Sequence, residues 1–184
     1  MMQDMAMYLL DIANNSIEAK ALNIYIYLAE LDREDRLILS VTDDGCGMDQ
    51  VTLKKVVNPF YTTRTTRKIG LGIAFFKALA DSCDGKFTIE SEVGKGTFIK
   101  VDIRKSHLDT PPLGDIAETI LTLIQAKETI EYTFRYQTDE GEYIFDTRKV
   151  KELLDGVSIC DPSILLWIKD YLNEGMNRNN GGIK

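Results

Sequence analysis

The stretch Asp11-Ile12-Ala13-Asn14-Asn15-Ser16-Ile17-Glu18-Ala19 decides how the chain is read. It lies in a segment, Met2 to Lys20, whose positions Met5, Leu9, Ile12, Ser16 and Ala19 recur at steps of three and four, the spacing of an amphipathic helix. Asp11 and Asn15 stand one turn apart, so both leave the helix in one direction, with Glu18 close to that stripe. A carboxylate and an amide are presented together. Taken alone, such a pair is as readily the solvated face of a helix, and its meaning depends on what the rest of the chain brings beside it.

Outward from that helix, Asn23 to Glu30 and Arg36 to Asp43 alternate and are rich in Ile, Tyr, Val and Leu around Asp32-Arg33-Glu34-Asp35, which reads as a hairpin. The second arm ends in Asp43-Asp44-Gly45-Cys46-Gly47-Met48. Acidic residues followed by two glycines let backbone approach a ligand that a carboxylate can hold, and a plain Gly-rich turn is the alternative. Asp49 to Val57 reads as a short helix ended by Asn58-Pro59. After the polar Tyr61 to Lys68, Gly70-Leu71-Gly72 opens an apolar helix reaching Cys83. Free N–H groups and the helix dipole at such a start favour phosphate, although glycine packing explains it equally well. Lys86 to Glu92 and Thr97 to Arg104 flank Gly94-Lys95-Gly96 as a second hairpin. The order helix, hairpin, helix, loop, helix, hairpin implies an α+β layer, with a mostly antiparallel sheet and helices on one face.

Ser106 to Gly114 holds Pro111-Pro112 and the lone His107 and reads as a linker or a bend between units. Beyond it come a helix (Asp115 to Ala126), a hairpin (Glu131 to Tyr136, Gly141 to Phe145), a helix (Thr147 to Leu154) and a last helix from Pro162 to Glu174. Asp161 caps that last helix and Gly175 is its expected stop. The organisation expected is 1–105 as a first domain, 106–114 as linker, 115–176 as a small α+β appendage and 177–184 as a flexible tail. Tyr132, Phe134, Tyr136, Tyr143 and Phe145 alternate along the hairpin arms and are mostly assigned to core. Leu165, Leu166, Trp167 and Ile168 are candidates either for docking on the first domain or for a dimer contact.

The 184 residues, 44% hydrophobic and 28% charged, suffice for a sizeable core and argue against global disorder. Lys and Arg number 22 against 29 Asp and Glu, a net charge of −7, so a phosphate-backbone footprint is lacking and nucleic acid is not an expected partner. Three cysteines, far apart, and one histidine point away from disulfides and zinc. With neither an apolar run of bilayer length nor a signal-like N-terminus, the expectation is a cytoplasmic chain without a membrane partner.

In order and spacing the motifs resemble the nucleotide-binding domain of the GHKL, or Bergerat-fold, family, shared by gyrase, Hsp90-type chaperones, histidine kinases and MutL. The stretch Asp11–Ala19 looks like the N box and Asp43-Asp44-Gly45-Cys46-Gly47 like the first glycine box. Asn58-Pro59-Phe60-Tyr61-Thr62-Thr63 is similar to the F box of histidine kinases. Ile69-Gly70-Leu71-Gly72-Ile73 and Gly94-Lys95-Gly96-Thr97 resemble the second and third glycine boxes. The resemblance covers roughly Met5 to Arg104 and implies a two-layer α/β sandwich of Bergerat type, followed by the small C-terminal unit. Some motifs are similar to MutL and others to histidine kinases.

What the resemblance implies for the site is specific. ATP and Mg²⁺ are the expected cofactors. Asp43 receives the adenine amino group, a role suited to a carboxylate acceptor, within a glycine box that contributes Gly45, Gly47 and Met48. Gly47 and Thr97 line the base pocket. Asn15 places its side-chain oxygen on Mg²⁺, a hard cation that takes oxygen ligands, and Asp11 falls at the water-activating carboxylate. Gly70, Leu71 and Gly72 cradle the phosphates by backbone N–H groups, with Lys68 and Arg67 or Arg64 to neutralise charge. Asn58 to Ile69 forms the lid over ATP. Asp11 replaces the glutamate usual in the family's ATPases, and one methylene less reach predicts slow hydrolysis. No helix with a phosphoacceptor histidine precedes the N box, and His107 lies in no such motif, so an orthodox sensor-kinase arrangement is not expected. The functions implied are a weak ATPase or protein phosphotransferase, the latter including a serine kinase like anti-sigma factors, or an ATP-dependent switch that binds an unidentified protein partner with negligible turnover.

Overall fold

A computed structural model describes residues 3–57 and 72–179. The first helix, α1 (Met5–Glu18), is capped by Asp4, whose carboxylate accepts the Met7 N–H at 2.8 Å. Two further N–H groups of its first turn, those of Met5 and Ala6, donate to the carbonyls of Pro112 and Leu113 at 2.9 Å. Helix starts leave such donors without partners inside the helix, so the proline-rich 106–114 segment acts as a strap that caps α1.

The hairpin arms are β1 (Asn23–Leu31) with β2 (Arg36–Asp43), and β3 (Lys86–Glu92) with β4 (Gly96–Arg104); between the pairs come α2 (Gln50–Val56) and α3 (Gly72–Ser82). Then follow α4 (Ile116–Ala126), β5 (Glu131–Thr138), β6 (Gly141–Asp146), α5 (Thr147–Leu153) and α6 (Pro162–Asn179). Six strands form one sheet in the order β3-β4-β2-β1-β5-β6. Every neighbouring pair is antiparallel except β1 and β5, which run parallel with Ile26 opposite Phe134. The residues read from sequence as an appendage thus extend the same sheet, and their apolar side chains join the same core cluster.

Alternation along each strand selects one face. Ile24, Ile26 and Leu28 of β1, Leu37, Leu39 and Val41 of β2, Ile99, Val101 and Ile103 of β4, and Tyr132, Phe134 and Tyr136 of β5 are all buried, against the buried stripes of α1, α3 and α4. Each such fully buried side chain contributes roughly 1.5–3 kcal/mol. The opposite face is polar and aromatic, with Arg135 stacked over Tyr27 at 5.6 Å.

Gly175 does not stop α6, which continues to Asn179. A Cβ there would lie 2.2 Å from Tyr143 Cε2, so the glycine admits the tyrosine ring against the helix rather than ending it. The apolar run in α6 divides between two environments. Leu165 and Ile168 are buried in the common core, whereas Leu166 and Trp167 are exposed and Trp167 stacks on Tyr171 at 5.3 Å.

Candidate functional site

Register brings the site together at one end of the sheet. Asp43, the last residue of β2, is opposite Thr97 of β4, and Thr97 is opposite Ser91 of β3. These three share the face covered by α1 and α3. Asp43 is 9% exposed, and both its oxygens are held. Ser16 of α1 donates its hydroxyl to Oδ2 at 2.6 Å and the Gly45 N–H donates to Oδ1 at 2.9 Å. Ser16 falls on the apolar stripe by spacing alone, so its position foretells burial. Its partner is 27 residues away, and no local pattern signals the bond.

Asp44 performs a structural task beside it. Its carboxylate accepts the N–H groups of Leu22 and Asn23 and the Asn23 side-chain amide at 2.7–2.9 Å, fixing the β2 terminus to the start of β1. Burial pushes this carboxyl up, but the Asn23 and Leu22 hydrogen bonds outweigh it and hold it below the ordinary carboxylate range. A depressed native pKa stabilises the fold above the unfolded value of about 3.9, and that part is lost as pH falls through the native value. The stability gap between wild type and Asp44→Asn should therefore be full at neutral pH and close below about pH 4, as urea midpoints at pH 7 and pH 3 would read.

The glycine boxes pack back to back. A Cβ on Gly47 would lie 2.0 Å from the Glu92 carbonyl oxygen, and one on Gly96 1.9 Å from that of Asp43. Cys46 donates its N–H to the Ala19 carbonyl at the end of α1 and accepts from the Gly94 N–H. Met48 donates its N–H to Ser91 Oγ at 2.8 Å. Hydroxyl, glycine and main-chain contacts thus tie the ends of β2, β3 and β4 and the α1 terminus into one unit.

On α1, Asp11 and Asn15 are both half-buried one turn apart. Gly72, the first residue of α3, sits against Asp11 so closely that a Cβ would fall 2.1 Å from Oδ2. Asp11, Asn15, Asp43, Gly45, Gly47, Met48, Gly72 and Thr97 are thus brought around one end of the sheet beside α1 and the start of α3. Lys68, Gly70 and Leu71, the nearby Arg64 and Arg67, and the F-box and lid stretch lie outside the described residues. Among the described residues no group of three His, Cys, Asp or Glu forms a metal cluster. The donor set instead offers one amide oxygen at Asn15 beside one carboxylate, which fits a hard cation that takes most of its oxygens from phosphate and water. Ser16 and Ser91 are the members of this constellation that reasoning from sequence missed.

Comparison with known proteins bears on this arrangement. A family model described as histidine kinase-, DNA gyrase B-, and HSP90-like ATPase matches residues 3–107. Sporulation kinase E of Bacillus subtilis (strain 168) is 34% identical over 96 residues, 51% of this chain and 13% of that protein. Sporulation kinase C of the same organism is 34% identical over 92 residues, 50% of this chain and 21% of that protein. The chain therefore spans about a fifth or less of the length of these curated relatives. A crystal structure of the N-terminal domain of a DNA repair protein superposes with a TM-score of 0.53 at 14% identity, covering 78% of this chain and 52% of that one; this likeness is one of fold. Among the described residues no helix is long and apolar enough to cross a membrane.

Proposed function

Because the chain belongs to the histidine kinase-, DNA gyrase B-, and HSP90-like ATPase family and is related to histidine kinases over that domain, we propose that it binds Mg-ATP between α1, the ends of β2 and β4 and the start of α3, and acts on the γ-phosphate. The observation that carries this reading is the meeting of Gly72 with Asp11: a helix N-terminus suited to phosphate lies against the Asp11 carboxylate, one turn of α1 from the Asn15 amide. Asp43, held by Ser16 and Gly45, keeps acceptor capacity for the adenine amino group. Asn15 holds Mg²⁺ through its amide oxygen. When bound, the metal neutralises triphosphate charge. Asp11 orients and deprotonates the attacking water or hydroxyl. Thiols at Cys46, Cys83 and Cys160 that form no disulfide suit a reducing, cytoplasmic setting.

A second reading, an ATP-dependent switch that binds a protein partner with negligible turnover, is favoured by the shorter reach of Asp11 relative to glutamate. ADP released per mole of chain incubated with Mg-ATP separates the two. Multiple turnovers that fall at least about a hundredfold in Asp11→Asn, the usual scale for losing a general base, are expected for the enzyme. Bound ATP that stays intact in both proteins would turn the reading to the switch.

A further inference from the structure

Ser91 is a β3 residue that none of the expected motifs contains, yet its single hydroxyl meets three groups of the site. Its oxygen accepts the Met48 N–H at 2.8 Å, it donates to the Gly96 carbonyl at 3.0 Å, and it stands 2.9 Å from Thr97 Oγ1. A hydroxyl has one proton. With that proton on the Gly96 carbonyl, which can only accept, the contact with Thr97 is made by the threonine's proton. Thr97 Oγ1 then turns only lone pairs away from Ser91. In the same cross-strand row, the Asp43 carboxylate is also acceptor-only, its oxygens oriented by Ser16 and Gly45.

We infer that Ser91 is a positioning residue for base recognition: by consuming the Thr97 proton it makes this end of the pocket accept hydrogen bonds without donating them. Such an end takes a base carrying an exocyclic amino group and rejects one carrying a carbonyl at that place, since two facing acceptors leave the carbonyl desolvated without a partner. The inference rests on the ATP-binding reading above. It adds that selectivity against a 6-oxopurine depends on the orientation of one threonine hydroxyl, set from the neighbouring strand. Without Ser91, Thr97 Oγ1 is free to rotate and to donate.

The test is calorimetric titration of the full chain with ATP and with GTP in wild type, Ser91→Ala and Ser91→Thr, each first checked for cooperative unfolding. Wild type should favour ATP. Ser91→Ala should lower that preference by about tenfold, the scale of one oriented polar contact, chiefly by gaining GTP affinity, and Ser91→Thr, which keeps the hydroxyl, should retain it. A folded Ser91→Ala with the wild-type preference overturns the inference, and so does equal weakening of both nucleotides in Ser91→Ala and Ser91→Thr, the mark of a purely structural role. A wild type that binds neither nucleotide overturns the ATP-binding reading itself, and with it this inference; the two failures are thus distinguished.

Discussion

Asp43→Asn is expected to abolish measurable ATP binding, with an affinity loss of at least about a hundredfold, the scale of an unpaired buried polar group in a binding site. The carboxylate accepts from Ser16 on Oδ2 and from Gly45 on Oδ1. An asparagine offers one acceptor oxygen in place of two. One of the two internal donors loses its partner, or the new amide NH₂ turns toward the base and faces the adenine amino group, donor against donor. Leaving a buried donor unsatisfied costs about 1–3 kcal/mol of stability, so the variant should fold with a lowered urea midpoint. Titration with ATP at matched folded fraction checks the binding part. Retained adenine affinity would remove Asp43 from the base site.

Gly96→Ala should be the most damaging substitution among the turn glycines. Gly96 has φ +101° and faces the Asp43 carbonyl oxygen, 1.9 Å from where a Cβ would be placed. The backbone conformation alone costs a side-chain residue about 1–3 kcal/mol, and the overlap is with main chain that cannot rotate away. The start of β4 must separate from the end of β2, so a stability loss of at least about 3 kcal/mol should accompany loss of nucleotide binding. Gly94→Ala is the matched control. Gly94 also has positive φ, +77°, but nothing lies within 4 Å of an added Cβ, so about 1–2 kcal/mol is lost and binding persists. Urea unfolding of both variants, with ATP titration, reads the contrast. Equal behaviour would show that the close approach of Gly96 to Asp43 has no part in holding the site.

The local layout was legible because each element is locally consistent. α1, the three hairpins and α4 follow from periodicity, and the Asp43–Met48 and Gly94–Thr97 turns from their glycines. Asp11 and Asn15 share a direction because the helix period puts them there. What periodicity lacks is partnership. It assigns β5 an inner face but not a neighbour, and the parallel pairing of β5 with β1 joins residues more than a hundred positions apart. The same limit hides Ser16, whose place on a buried stripe is legible and whose bond to Asp43 is not, and Ser91, an ordinary strand residue until register sets it beside Thr97. Gly175 misleads for a related reason. As a local signal it reads as a helix stop, whereas the contact it makes with Tyr143 is tertiary.

Whether this chain binds Mg-ATP is tested most directly by calorimetric titration of the wild type with ATP, with and without Mg²⁺, beside Asn15→Ala. The predicted result is saturable one-to-one binding that Mg²⁺ tightens, with the Mg²⁺-dependent part lost in Asn15→Ala. Heats that never saturate in wild type with Mg²⁺ present would contradict it.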